Sequence, residues 1–418
     1  MRFVSLGGQD EMLKTAGVKS VDELFECVEP KLGRKLHLSS PLSEMELREH
    51  MAALAKKNMP LKCFIGAGCY DHYIPSVVGH ILLRSEFYTA YTPYQAEVSQ
   101  GTLQAIYEFQ TYMCMLTGMD VANASMYDGA TALAEAAFLA CDSTERDGIA
   151  VINSLNPGYR KVLETYCQVH DVEITDKLSD KSACAIVQNP DYEGSVHNLR
   201  EYAEKAHAAG ALLVASVSEP TSLALLEPPG QCGADIVAGD AQSFGNPISF
   251  GGPMLGFMAV KKELMKRIPG RLSGITNDAS GKRGFVLTLQ AREQHIRRER
   301  ASSNICTNQA LCALAATVYL ALMGKTGLRN AAVQSYKRAH ELQERLGKVG
   351  FMLENVKPFY NEFVVKCPVA PETVITSLAG NGIGAGVDLG NSRMLVCCTE
   401  KIAEKDIDDY IKAVEGLL

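Results

Sequence analysis

The chain has 418 residues, 47% of them apolar and 21% charged, and a formal net charge of −7. That length exceeds the roughly 250–300 residues at which single cores stop growing, so a large domain with a smaller companion is expected. The mild acidic excess argues against nucleic acid as a partner. The apolar run Ala310–Met323 is shorter than the ~20 residues a membrane span needs, so no membrane partner is expected either.

The N-terminus, Met1-Arg2-Phe3-Val4-Ser5, has no apolar signal region, and a cytoplasmic protein is expected. Thirteen cysteines, among them Cys114, Cys141, Cys184 and Cys312, are scattered through apolar segments without a CxxC pair. They read as small core residues of a reduced protein. Residues 1–60 form a charged, helical arm suited to packing on a partner subunit, with Ser43 and Glu46 at capping-box spacing.

Two Gly-, Pro- and Tyr-rich loops follow, Cys63–Pro75 and Phe87–Gln95. Tyrosine offers a flat apolar face and a hydroxyl, which suits the wall of a cofactor or substrate site. Cys69 and His72 stand at a metal-like spacing without a second ligand pair, and Gly66-Ala67-Gly68 lacks the third glycine of a dinucleotide fingerprint, so neither a metal nor NAD is expected. Ser99 is placed to cap a helix running to Gly118, with Ala105, Phe109, Tyr112 and Leu116 on its apolar stripe. Asp128-Gly129-Ala130-Thr131 opens an alanine-rich helix whose N-terminal N–H groups make a natural phosphate seat.

From there short apolar runs alternate with helical stretches. Strands are expected at 148–153, 172–174, 183–188, 211–217, 234–238 and 254–260, and helices at 157–170 and 196–209. This is the pattern of a mainly parallel sheet covered on both faces. A basic run, Arg292–Arg300, precedes Ser302–Gln309 and the buried helix from Ala310, and a longer helix, 334–347, leads into an α+β region at 326–418.

Long segments of this chain resemble the glycine decarboxylase component of the glycine cleavage system, the P-protein family. They are Phe64–Tyr73, Thr89–Gln95 with Ser99-Gln100-Gly101, Asn123–Gly129, Arg292–Arg298 and Ser303–Gln309. The match covers most of the chain and fits the first half of the split form of the family, its alpha subunit or subunit 1. The resemblance implies a fold-type I, pyridoxal phosphate (PLP)-dependent transferase-like α/β fold. A large domain at 61–325 would hold a mainly parallel, seven-stranded sheet between helices, with a small C-terminal α+β domain at 326–418. Where the other half of the family carries His-Lys-Thr-Phe, this chain has Ala241-Gln242-Ser243-Phe244, with Gly251-Gly252-Pro253 in register. Gln242 has no nucleophilic amine to hold the cofactor covalently. Glu219 is the only acid near the strand that should supply an aspartate, and Asn156 stands where a ring-stacking His is usual.

The implied function is shared. A beta subunit (subunit 2) would bear PLP and act on glycine, and the aminomethyl group would pass to the lipoyl arm of H-protein, in a heterotetrameric assembly. On this chain Tyr70, Tyr91, Tyr94 and Gln95 are expected to line the substrate channel together with Thr92, with His72 and Tyr73 behind them. Thr307, Asn308 and Arg298 are expected to reach the partner's cofactor. Two other readings stand beside it: a standalone PLP enzyme using another lysine, such as Lys261 or Lys262, and a non-catalytic scaffold or regulatory protein on a decayed PLP-enzyme fold.

Overall fold

The computed structural model describes residues 8–27, 38–301, 303–306 and 308–418. It divides into two compact units, residues 1–59 and 60–418. The first unit contains helix α1 (Gln9–Ala16), a short 3-10 turn, and helix α2 (Glu44–Ala55). The expected capping box opens α2: Glu46 N–H donates to Ser43 Oγ at 3.3 Å, and Ser43 N–H donates to the Glu46 carboxylate at 2.8 Å.

In the second unit, helix α3 (Gln100–Thr117) buries Leu103, Ile106, Phe109 and Met113, while Ala105, Tyr112 and Leu116 flank that stripe half-buried. Ser99 occupies the N-cap position but its hydroxyl makes no capping bond. A 3-10 turn at Ala96–Val98 runs straight into the helix, and the Gln100 side chain donates back to the Ala96 carbonyl at 2.7 Å instead.

The central sheet contains β1 (Val121–Ala122), β2 (Gly148–Val151), β3 (Glu173–Thr175), β4 (Ser182–Gln188), β5 (Leu212–Val217), β6 (Ile236–Asp240) and β7 (Gly256–Val260). Its seven strands lie in the order β1-β7-β6-β5-β4-β2-β3, and β7 alone runs against its neighbours. All seven residues of β4 are buried, as a strand covered on both faces requires. Period-two alternation divides them. Cys184 and Ile186 face helices α4 (Gly129–Thr144) and α5 (Pro157–His170), and Ala185 and Val187 face α3, α6 (Leu199–Ala208) and the start of α7 (Ala310–Lys348). The apolar half of α7 is thus a core helix: Ala315, Ala316 and Tyr319 have no exposure. A non-helical residue, Gly324 (φ 56°), interrupts it.

The sequence reading missed a hairpin, β8 (Leu272–Asn277) with β9 (Arg283–Thr288), which lays Phe285 and Leu287 on Leu103. Beyond α7, strands β10 (Met352–Leu353), β11 (Glu362–Lys366), β12 (Val387–Gly390) and β13 (Arg393–Cys397) form an antiparallel sheet in the order β10-β11-β13-β12. Helices α8 (Pro371–Gly380) and α9 (Glu404–Glu415) cover it. Phe64, from the first tyrosine loop, stacks edge-on against Tyr410 of α9 at 4.8 Å. That loop is therefore anchored in the C-terminal core.

Candidate functional site

Strand β6 runs two residues further than its apolar pattern predicts, through Gly239 and Asp240. Only glycine fits at 239, since a Cβ there would lie 1.9 Å from the Val217 carbonyl. The extension sets Asp240 at the strand's carboxyl end and Gln242 in the turn beyond it. Gln242 is 3% exposed and its amide is fully committed. Nε2 donates to the carbonyls of Tyr70 (3.1 Å) and Asn246 (2.6 Å), and Oε1 accepts from Tyr70 N–H (3.0 Å). The turn thereby clamps the first tyrosine loop.

Other buried groups hold the same loop. Asn156 Nδ2 donates to the Ala67 carbonyl at 3.0 Å. Glu362 accepts from Ala67 N–H at 2.6 Å and from the Tyr70 hydroxyl at 2.9 Å. Burial pushes the Glu362 carboxyl up to about 7 against these donors. His72 lies between two carboxylates, Nε2 at 3.0 Å from Glu219 and Nδ1 at 2.6 Å from Glu400. Burial alone would lower its pKa, but the Glu219 charge and the bonds to both carboxylates raise it to about 10, so an imidazolium bridges the pair. Glu219 also accepts from Ser243 (3.1 Å) and Thr221 N–H (2.9 Å).

A second cluster lies around the other tyrosine loop. Arg271, its side chain 5% exposed, places its guanidinium 5.6 Å from the Tyr94 ring centre and its Nη2 3.4 Å from the Tyr94 hydroxyl. Behind it is Glu293, at 3.9 Å, and the His295 ring packs against Tyr94 at 5.4 Å, tilted by 56°. Arg292 donates through Nη1 to the Ile268 carbonyl. Nearby, Cys306 N–H bonds the Tyr127 hydroxyl (3.2 Å) and Gln309 N–H bonds Ser125 (3.1 Å), which fixes the segment carrying Asn308. Several buried polar atoms here have no partner among the described residues: Arg271 Nε, Arg292 Nε and Nη2, Glu293 Oε1 and Asn308 Nδ2.

The structure thus sorts the predicted site residues into two groups. Tyr70 and His72 are buried, 3% and 4% exposed, and committed to internal carboxylates. Tyr73, expected behind them, is 60% exposed, as are Tyr91 (82%) and Tyr94 (49%); Gln95 is exposed and Thr92 half-buried. Asn308 is half-buried beside the second cluster, and Arg298 is exposed with a left-handed backbone, φ 54°. Thr307 lies outside the described residues. Cys69 Sγ is directed at Gln242 Oε1 (3.7 Å) while His72 is enclosed by carboxylates, so the two do not converge on a metal.

The fold implies PLP at the Gln242 turn, and the residues present do not fit it. No amine is there, the Gln242 and Asn156 amides are occupied by the loop, and Glu219 is paired with His72. Lys261 and Lys262 do not repair the loss. Strand β7 pairs Gly256 with Asp240 and Val260 with Ile236, so both lysines follow the opposite end of β6, roughly 20 Å away at ~3.3 Å per residue. Lys261 is bound there to Asp235 at 2.6 Å. The standalone reading is corrected on this ground. Sequence reasoning missed Asp240, Arg271, Glu293, Glu362 and Glu400. Glu293 and His295 lie inside the quoted motif Arg292–Arg298, whereas Glu362 and Glu400 meet their partners from 292 and 328 residues away and leave no local signal.

Comparison with known proteins converges with this geometry. The model of the family "Glycine cleavage system P-protein" matches residues 2–414. A probable glycine dehydrogenase (decarboxylating) subunit 1 of Moorella thermoacetica is 49% identical, and one of Desulforamulus reducens is 50% identical, each with 98% of both chains covered. A crystal structure of glycine decarboxylase (P-protein) of the glycine cleavage system, in inhibitor-bound form, superposes with a TM-score of 0.94 at 42% identity over 100% of both chains. A glutamate decarboxylase of Lactobacillus brevis, 11% identical with a TM-score of 0.68 over 92% of this chain and 95% of its own, shares the fold alone. With the family model matched over nearly its whole length and relatives near half identical from end to end, the chain belongs to the glycine cleavage system P-protein family.

Proposed function

We propose that this chain is subunit 1 of a two-subunit glycine decarboxylase, building part of an active site whose cofactor is held by subunit 2. The observation that carries this reading is the Gln242 turn. In a chain matched to the P-protein family over residues 2–414, the turn expected to bind the cofactor is closed by the chain's own amides. PLP held by the partner supplies the electron sink for loss of the glycine carboxylate. This chain's residues bind and orient around it. Tyr73, Tyr91 and Tyr94 present exposed apolar faces that would exclude water from the path of the lipoyl arm, with Thr92 and Gln95 adding polar contacts. Arg271 fixes the Tyr94 ring from behind. Asn308 Nδ2, without a partner among the described residues, would donate toward the partner's cofactor together with Thr307 and Arg298.

The exposed apolar side chains of α2, Met45, Leu47, Met51 and Leu54, fit an arm laid on a second subunit. The domain divisions at 60 and 325, the cytoplasmic location, the heterotetramer and the hand-over to lipoylated H-protein complete the proposal. Co-expression with subunit 2 tests it. Exchange of labelled bicarbonate into glycine should fall at least about tenfold when Tyr91 and Tyr94 are both changed to Ala, the scale of losing about 1.4 kcal/mol of transition-state stabilisation. Unaltered exchange would remove both tyrosines from the wall.

A further inference from the structure

Helix α4 begins at Gly129 beneath the Gln242 turn, and its first N–H groups make the seat that an anion would take. Asp128 caps the helix in the ordinary way, accepting from Thr131 N–H at 2.8 Å. Gly129 N–H donates instead to Asp240 Oδ2 at 2.9 Å, across the gap between the helix and strand β6. The other oxygen of Asp240 accepts from Gln242 N–H at 2.8 Å and Leu255 N–H at 3.2 Å. Three backbone donors thus converge on one carboxylate that is 1% exposed. Burial pushes that carboxyl up to about 6 and the three donors pull it down, which leaves it ionised at neutral pH.

The space is closed as well as neutralised. A Cβ on Gly129 would lie 2.0 Å from the Tyr159 hydroxyl and 3.1 Å from Asp240 Cβ. The Tyr159 hydroxyl is buried and has no partner among the described residues. It is therefore a polar group facing Gly129 and Asp240 whose hydrogen bond is unmet.

We infer that Asp240 is a resident anion: its carboxylate occupies the seat in which this fold holds a cofactor phosphate. The chain therefore rejects inorganic phosphate and phosphate monoesters, PLP among them, through occupancy of this seat and not only through loss of the lysine. The same carboxylate fixes the turn whose Gln242 amide clamps Tyr70, so the anion also positions the first tyrosine loop. Removal of the carboxylate uncovers a latent phosphate site bounded by Gly129 N–H, Gln242 N–H, Leu255 N–H and the Tyr159 hydroxyl. The inference builds on the reading that cofactor chemistry has left this chain, but it is tested on the full chain alone, without partner or turnover, so the two fail separately.

The probe is inorganic phosphate, exchanged for chloride at constant ionic strength, with the melting temperature and the 31P linewidth as readouts. The wild-type chain should show no phosphate dependence. Asp240→Ser should melt lower in chloride and regain at least about 2 °C in phosphate with a broadened 31P line, as a ligand selective for the folded state requires. Asp240→Asn, which still fills the seat, should melt lower with no gain from phosphate. If Asp240→Ser is not recovered in chloride buffer, it should be recovered in phosphate. Phosphate stabilisation of the wild type equal to that of Asp240→Ser, absence of any gain in Asp240→Ser, or failure to recover it in either buffer while Asp240→Asn folds would each overturn the inference.

Discussion

Two polar regions of this molecule differ in how completely their hydrogen bonds are met. Around the Gln242 turn, Gln242, Asn156, Asp240, Glu219, Glu362 and His72 bond to one another's elements and to the tyrosine loop at 2.6–3.0 Å, and the Tyr159 hydroxyl is left unmet among the described residues. Around Arg271 and Asn308, five side-chain nitrogen and oxygen atoms are buried without a partner among the described residues. An unsatisfied buried polar atom costs roughly 1–3 kcal/mol, so a cluster of them calls for partners such as water or a second chain beyond the described residues. The contrast sets a turn closed by the chain's own hydrogen bonds against a cluster whose polar atoms the described residues leave open.

The comparison breaks most directly at His72. His72→Leu leaves the Glu219 and Glu400 carboxylates buried without their cation and should cost about 3–5 kcal/mol in urea unfolding. A cost under about 1 kcal/mol would show that the network does not hold the loop. The wild type should also lose this contribution with rising pH. The folded pKa of His72, about 10, exceeds the unfolded value near 6.5, so its stabilisation is complete below about pH 6.5 and is lost as pH climbs through 10. His72→Leu should abolish the decline across that window. A lower window belongs to Glu362, whose carboxyl is raised from 4.5 to about 7. Its linkage lowers stability as pH rises from 4.5 to 7, and this should persist in His72→Leu.

Next in size, Gln242→Leu strands Tyr70 N–H and its carbonyl in the interior and should cost about 1–3 kcal/mol, measured by the urea midpoint of the isolated chain. The smallest effect on stability should come from the other region. Asn308→Ala removes an amide nitrogen that has no partner among the described residues, so the isolated chain should change by no more than about 0.5 kcal/mol. Its consequence should instead be seen as weaker exchange activity once the partner is present. A large loss of stability in the chain alone would make Asn308 structural and erase the contrast.

The sheet was legible because burial on both faces writes uninterrupted apolar runs: 183–188 and 211–217 were located to within one residue of β4 and β5. The end of β6 was not, since Gly239 and Asp240 are residues strands usually avoid, and they extend this one for a local reason of close approach and anion placement. The β8–β9 hairpin escaped because its turn, Asp278–Lys282, interrupts two segments with only Phe285 and Leu287 as a clear buried alternation in the second. At the site, Gln242 was legible as a substitution, but its grip on Tyr70 spans 172 residues and depends on the finished fold. Tyr70 and Tyr73 exchanged their expected places for the same reason. Glu362 and Glu400, which decide what each neighbour faces, arrive from the C-terminal region.

The account rests most heavily on the division of labour between two chains. Labelled bicarbonate exchange into glycine, measured on this chain, on subunit 2 and on the two combined, tests it in one assay. The account predicts activity in the combination that neither chain reaches alone. Exchange by this chain alone, or by subunit 2 alone at the rate of the pair, would contradict it.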